Sequence, residues 1–335
     1  MTASSPRAAA PISAAATAFK WEDPFLLDEQ LTEDERLIQE SARQYAQGKL
    51  MPRVQLAWRE EKVDKEILPE VQAKRHAAAH AALAKLRDIV AQAKLDVAIV
   101  VSNVHRVQPA DHHPVFGIFR AESFPVMRRK DERFDPDSRF VPEDQREPIK
   151  QVVDRPGKAD LATHMIKSLI EDQFDVACLD VLPKGVPLDD AFVFPYEHLF
   201  GGATIPMIPF LLSRDLPNQA TARRCYDVGT AMRRAIDSWP ADLRGGLVAS
   251  GGLSHQLLDE ELDNKVVHAL MSGDKATLCA LPRDRLNRGP GTPEILNWVT
   301  VSAAMAPTKM TLVDYVPAYR SLASTGHGLT FGYWQ

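Results

Sequence analysis

Short apolar runs alternate with longer segments of helical period along most of this chain, and the alternation predicts its elements. From Leu31 to Leu50, "LTEDERLIQESARQYAQGKL" carries Leu37, Ile38, Ala42, Tyr45 and Ala46 at helical spacing. Thr32 with Glu35 three residues on forms a capping box for that helix, and Pro52 ends it. A second, longer helix is expected from Leu68 to about Lys94. "LDVAIVVSN", Leu95 to Asn103, is then a continuous β-branched run, which predicts a strand buried on both faces of a parallel sheet. Similar runs begin at Phe174 ("FDVACLDVL"), Thr204 ("TIPMIPFLL") and Gly246 ("GLVAS"). Between the last two, Cys225, Val228, Gly229, Met232, Ile236 and Trp239 fall on one helical stripe, with Cys225 as packing. Strands alternating with helices imply an α/β layered domain with a largely parallel central sheet flanked by helices.

Two stretches depart from this rhythm. Residues 1–18 are small and alanine-rich, and they read as a disordered tail. Residues 128–157 are charged and proline-bearing without a sustained period, which predicts an exposed or partner-facing insertion.

Composition narrows the function classes. The 335 residues are 45% hydrophobic and 25% charged, as in a soluble globular protein. A formal charge of -5 argues against a nucleic-acid binder driven by phosphate neutralisation. No apolar run reaches the roughly 18 residues of a membrane span. Cys178, Cys225 and Cys279 are far apart and odd in number, so the expected home is a reducing cytoplasm.

Ligands of a parallel α/β sheet gather beyond the carboxyl ends of its strands, and three places bring polar groups there. "VVSNVHR" presents His105, "LVASGGLSH" presents Ser254 and His255 behind a double glycine, and "GTPEILNW" presents Glu294. Thr292 is read as the cap of that last helix and Pro293 as its first residue, with Glu294 in the opening turn. Two histidines and a carboxylate are the donor set of a mononuclear ferrous site, and a histidine near neutrality serves as acid or base. "DEELD" from Asp259 reads as the acidic first turn of a helix. His327 in "STGHGLTF" reads as a loop histidine, and His76 with His80 as a pair on a solvated helix face.

"RRCYDVGTAMRRAI", "SGGLSHQLLDEELD", "GTPEILNW" and "LVDYVPAYRSLASTGHGLTFGYW", in this order, resemble the catalytic (beta) chain of class III extradiol ring-cleavage dioxygenases. Protocatechuate 4,5-dioxygenase and gallate dioxygenase belong to that family. The resemblance runs from about residue 68 to 334, within a domain expected to span 68–335. It implies the α/β fold of that extradiol dioxygenase catalytic chain and an Fe(II) enzyme that opens a catechol-type aromatic diol with O2. It also implies that His255 is the acid/base, that His105 and Glu294 are metal ligands, and that Ser254 lies in the substrate-binding motif. The partners so implied are the diol and O2, with a homo-oligomer or a small accessory subunit. Neither nucleic acid nor membrane is among them.

This chain departs from the family pattern at its start. The family's first metal histidine follows an opening strand, whereas no histidine occurs here before His76. His112 and His113 are candidate substitute ligands. The alternative is a catalytically degenerate homologue that has lost iron. Residues 19–54, including "WEDPFLLDEQLTEDERLIQESARQYAQGKLMPRV", form a helical segment that resembles the amino terminus of acyl-CoA dehydrogenases, the glutaryl-CoA branch in particular. Nothing after Val54 continues that pattern, so a dehydrogenase fragment is the weaker alternative.

Overall fold

The computed structural model describes residues 31–51, 70–103, 114–129, 150–180, 182, 188, 190–201, 203–214, 216–320 and 323–335. They fall in two units, Met1–Ile67 and Leu68–Gln335. The described part of the first is helix α1 (Glu33–Tyr45), continued by a π-helical turn at Ala46–Leu50. Its start is the expected capping box. Thr32 Oγ1 accepts from the Glu35 backbone N–H, and the Glu35 carboxylate takes the Thr32 N–H in return. The disordered-tail expectation for 1–18 lies outside the described residues.

The second unit opens with α2 (Glu70–Ala93) and β1 (Val97–Asn103), followed by β2 (Phe116–Phe119), β3 (Ser123–Arg129), β4 (Lys150–Pro156), α3 (Ala159–Glu171), β5 (Ala177–Leu179) and β6 (Met207–Leu212). Helix α4 (Ala222–Asp237), β7 (Gly245–Ala249), β8 (His255–Leu257), α5 (Glu260–Ser272), α6 (Ile295–Met305), β9 (Thr311–Tyr319) and β10 (Thr325–Tyr333) complete it. The central sheet has the order β5-β2-β6-β1-β7, and β1 runs parallel to both β6 and β7. Strand β2 is parallel to β5 but antiparallel to β6, so the sheet is mostly parallel.

Burial explains why β1 reads as an unbroken apolar run. Val97, Ile99 and Val101 pack into one core with α3, α4 and α6, through residues such as Leu161, Met165, Met232 and Val299. Ala98 and Val100 point to the opposite core, with Phe124, Phe192, Tyr196 and Leu211. Both faces are thus dry. A fully buried side chain of this size contributes roughly 1.5–3 kcal/mol. On α4 the expected stripe holds, with Cys225, Val228, Gly229 and Met232 buried against that first core.

One expectation needs correction, and two elements go beyond the sequence reading. The run from Phe174 yields only the three-residue β5. It is an edge strand paired to β2 alone, and its end is pinned by the Asp180–Arg120 ion pair. The last residues of the charged insertion form a strand. Lys150–Pro156 pairs antiparallel with Ser123–Arg129 as a two-stranded ribbon, while 130–149 lie outside the described residues. The carboxyl-terminal region forms a separate antiparallel sheet, β8-β10-β9, which apolar runs do not announce because its residues are half-buried and rich in glycine. Among the described residues, no helix is long and apolar enough to cross a membrane.

Candidate active site

The site lies beyond the carboxyl ends of β1, β6 and β7, where a parallel arrangement leaves open backbone and a crevice. One buried amide ties these ends together. Asn297 Nδ2 donates to the Ser250 carbonyl after β7 (2.7 Å) and to Asn103 Oδ1 at the end of β1 (3.0 Å). Asn103 in turn donates to the Leu212 carbonyl of β6 (3.1 Å). Asn297 lies three residues after Glu294, so the clamp that joins the strands also sets the start of α6 against them.

The chain then turns through Gly251 and Gly252. Gly251 has φ +114°, and a Cβ there would lie 2.1 Å from Glu294 Oε2, so only glycine fits both the backbone and the carboxylate. The Trp298 indole N–H donates to the Gly251 carbonyl (3.1 Å), and the Gly252 N–H donates to Glu294 Oε2 (3.2 Å). Past the turn, His255 opens β8. Its Nδ1 sits 2.9 Å from the Leu253 carbonyl, which can only accept, so Nδ1 carries the proton. Nε2 is thereby the nitrogen that gains and loses a proton, and it stands 3.4 Å from Glu294 Oε2, to which it donates when protonated. The two side chains are 12% and 7% exposed, enough for a ligand edge and little water. Burial works against a charge on His255, but the hydrogen bond and field of Glu294 outweigh it and raise its pKa above the ordinary value. Arg214, beyond β6, acts against that rise.

Thr292 does not cap a helix. It belongs to a 3₁₀ turn, Thr292–Glu294, and its hydroxyl is drawn instead to the His255 backbone, donating to the carbonyl (3.1 Å) and accepting from the N–H (3.2 Å). Gly291 completes this grip. Its N–H donates to the same carbonyl (2.9 Å), and a Cβ there would strike the His255 ring at 2.0 Å. Glu294 is where the sequence puts it, in the opening turn and buried.

Ser254 is fully buried, and its hydroxyl is committed within the fold: it donates to Asp263 Oδ2 (2.7 Å) and accepts from the Asp259 N–H (2.8 Å). Its backbone N–H donates to Asp263 Oδ1 (2.8 Å). The Tyr315 hydroxyl adds a third donor to Asp263, at 2.8 Å. Burial raises the Asp263 pKa and these bonds oppose the rise. Asp263 is therefore no solvated first-turn acid but the anchor of the His255 turn, a role that residue type alone conceals.

His327 is not a loop histidine. It lies in β10 in register with His255 of β8, and the two ring centroids are 5.0 Å apart. Burial first, then the cationic neighbours His255 and Arg320, lower its pKa to about 4, with Glu294 opposing. Because the unfolded imidazole protonates near 6.5, acid favours the unfolded chain across the window from 6.5 down to about 4. Stability is expected to fall as pH drops through that window, and His327→Gln to flatten the slope. Urea midpoints of both proteins at several pH values check this.

His105, His112 and His113 lie outside the described residues. Among the described residues no group of three His, Cys, Asp or Glu side chains is arranged to hold a metal ion. His76 and His80 face each other on the exposed side of α2, with Nε2 atoms 3.0 Å apart.

Comparison with known proteins identifies the family. Residues 65–329 match the family described as the catalytic LigB subunit of aromatic ring-opening dioxygenase. Gallate dioxygenase of Pseudomonas putida is 37% identical over 110 residues, which are 31% of this chain and 30% of that relative's length. The crystal structure of uncharacterized protein JW3007 from Escherichia coli K12 aligns with a TM-score of 0.47 at 14% identity, covering 75% of this chain and 91% of that one. The family match takes in the central sheet, the His255 turn, Glu294 and the start of β10 with His327, and the chain belongs to the family of catalytic LigB subunits of aromatic ring-opening dioxygenases.

Proposed function

We propose that the protein is a non-haem Fe(II)-dependent extradiol dioxygenase acting with O2 on a catechol-type diol of the protocatechuate or gallate kind. The observation that carries this reading is the pairing of His255 with Glu294: a buried imidazole whose titrating nitrogen, Nε2, stands 3.4 Å from a buried carboxylate. The gallate dioxygenase relative supports the substrate class over the part of its length that this chain spans.

The donor chemistry suits a ferrous ion. Glu294 supplies a dehydrated carboxylate oxygen, and imidazole completes the 2-His-1-carboxylate set used for such iron. His105 is the proposed second ligand. Its support is where β1 ends, since Asn103, two residues before it, is bonded to the amide three residues after Glu294. His112 or His113 is proposed for the remaining place. Iron, when bound, lowers the pKa of a coordinated hydroxyl and lets dioxygen react with the ring.

The protein's own part follows from His255. Its Nε2 lone pair takes a proton from one diol hydroxyl, and the imidazolium so formed is stabilised by Glu294 and by the Leu253 carbonyl at Nδ1. The same nitrogen can return that proton later to an oxygen of the opened ring. Thr292 and Gly291 hold the backbone still while this happens. A small accessory subunit or a second copy of the chain is proposed to complete the assembly, in a cytoplasm that suits three free thiols.

The second reading, a homologue that has lost iron, is favoured by the absence of any histidine before His76. Anaerobic reconstitution with ferrous iron separates the two. The expected result is near-stoichiometric iron and uptake of one O2 per 3,4-dihydroxybenzoate or 3,4,5-trihydroxybenzoate opened. Failure to bind iron, or iron without oxygen uptake, overturns the proposal. Glu294→Gln is expected to weaken iron binding by more than the roughly 10–100-fold typical of losing an outer-shell partner, read as metal content after gel filtration.

A further inference from the structure

We infer that His327 touches the substrate, its Nε2–H donating to an anionic oxygen substituent of the ring, a carboxylate, while His255 engages the diol. This rests on the ring-opening reading above. Three observations carry it. The first is placement. Strands β8 and β10 pair antiparallel with His327 opposite His255, so both side chains leave the same face of the small sheet. Their rings lie 5.0 Å apart and tilted by 44°. A planar ligand reaching Nε2 of His255, whose side chain is 12% exposed, has the half-buried His327 beside it.

The second is protonation by geometry. Arg320 Nη2 lies 3.5 Å from His327 Nδ1. A guanidinium has no lone pair to offer, so Nδ1 is the acceptor and the ring proton sits on Nε2. The imidazole is therefore a neutral donor and not a second base, in keeping with the burial and cationic neighbours that hold its pKa low. Among the described residues, no hydrogen bond takes up that Nε2–H, although strand pairing alone places no demand for a histidine here.

The third is charge. Arg320 stands behind His327, and Arg214 is close enough to influence His255. The titratable groups facing His327 are thus His255, Arg320 and the single acid Glu294, which is engaged by Gly252 and His255. A ring bearing a carboxylate finds a donor backed by a cation on that side. An uncharged catechol finds nothing to use it.

The test compares 3,4-dihydroxybenzoate with unsubstituted catechol in the iron-loaded protein, by titration calorimetry under anaerobic conditions and by oxygen uptake. The variants are His327→Phe, His327→Gln and Arg320→Met. His327→Phe keeps an aromatic ring and removes the donor, and its affinity for 3,4-dihydroxybenzoate is expected to fall roughly 10–100-fold, the factor for one hydrogen bond to a charged group. Affinity for unsubstituted catechol is expected to change far less, so that the selectivity between the two diols falls. His327→Gln, which still donates, recovers part of the loss. Arg320→Met, at an exposed position that leaves the fold intact, gives a smaller loss of the same selectivity. Equal losses for both diols, or none for either, overturn the role of His327 while leaving the ring-opening reading intact. A wild-type protein that binds neither diol overturns that reading and this inference together.

Discussion

Replacing His255 by glutamine lowers kcat for diol ring opening by about 10²–10⁴-fold, the range a positioned acid/base supplies, and leaves bound iron unchanged. Both halves of that expectation come from one geometry. Nδ1 is spent on the Leu253 carbonyl, so the ring can exchange a proton only through Nε2, which stands beside Glu294. Glutamine roughly matches the reach of imidazole and can keep a bond to Leu253, but it cannot gain and lose a proton near neutrality. The variant should thus fold with a melting temperature close to wild type. Metal content is the discriminating readout. If His255→Gln strips the iron, the imidazole is a ligand and not the acid/base. If activity stays within about tenfold of wild type, another group moves the proton. His255→Ala adds a control, since removal of the ring leaves room that added imidazole can fill. Partial recovery with imidazole in the buffer is the expected outcome.

The central strands are legible in the sequence for a simple reason. β1 and β6 are buried at every position, so apolar residues need not alternate with polar ones, and such runs stand out. The β8-β10-β9 sheet hides because its positions are half-buried and interrupted by glycines such as Gly326, Gly328 and Gly332. β2 hides because "FGIF" is too short to distinguish from a stray apolar cluster. Local rules see only neighbours along the chain, and β8 and β2 owe their structure to partners far along it.

The same division runs through the site. Glu294 and the His255 turn are legible because a helix start and a double glycine leave local marks. Thr292 is misread for the opposite reason: a threonine before Pro-Glu looks like a cap, yet its hydroxyl bonds a backbone 37 residues away. His327 looks like a loop residue among small neighbours until strand register puts it across from His255. Asp263 is the sharpest case. The helix beginning at Glu260 has its cap in Asp259 and acids in its first turn, all of which a solvated helix start explains. One turn in, however, Asp263 faces the core instead of water, and no one-dimensional rule separates it from Glu260 and Glu261.

That burial makes Asp263 the most sensitive side chain outside the reacting groups, and Asp263→Ala is expected to cost roughly 3 kcal/mol or more. The carboxylate accepts three hydrogen bonds, from the Ser254 N–H, the Ser254 hydroxyl and the Tyr315 hydroxyl. Removing it strands those donors in a site that water does not reach, and each unsatisfied buried group costs about 1–3 kcal/mol. The Ser254 hydroxyl can turn to another acceptor, which is why the sum is set at the lower end. Against a typical net stability of about 5–15 kcal/mol the loss is large. Asp263→Asn keeps the volume and one oxygen acceptor, and it should cost less than half as much. Tyr315→Phe removes a single donor together with its partner's third bond, at about 1 kcal/mol. Because Asp263 and Tyr315 share a bond, the Asp263→Ala/Tyr315→Phe double variant should be more stable than the sum of the single losses predicts. Urea unfolding of the four proteins supplies the cycle. Strict additivity, or an Asp263→Ala loss below about 1 kcal/mol, the least that one stranded donor costs, shows that the turn carrying His255 is held by something other than this carboxylate.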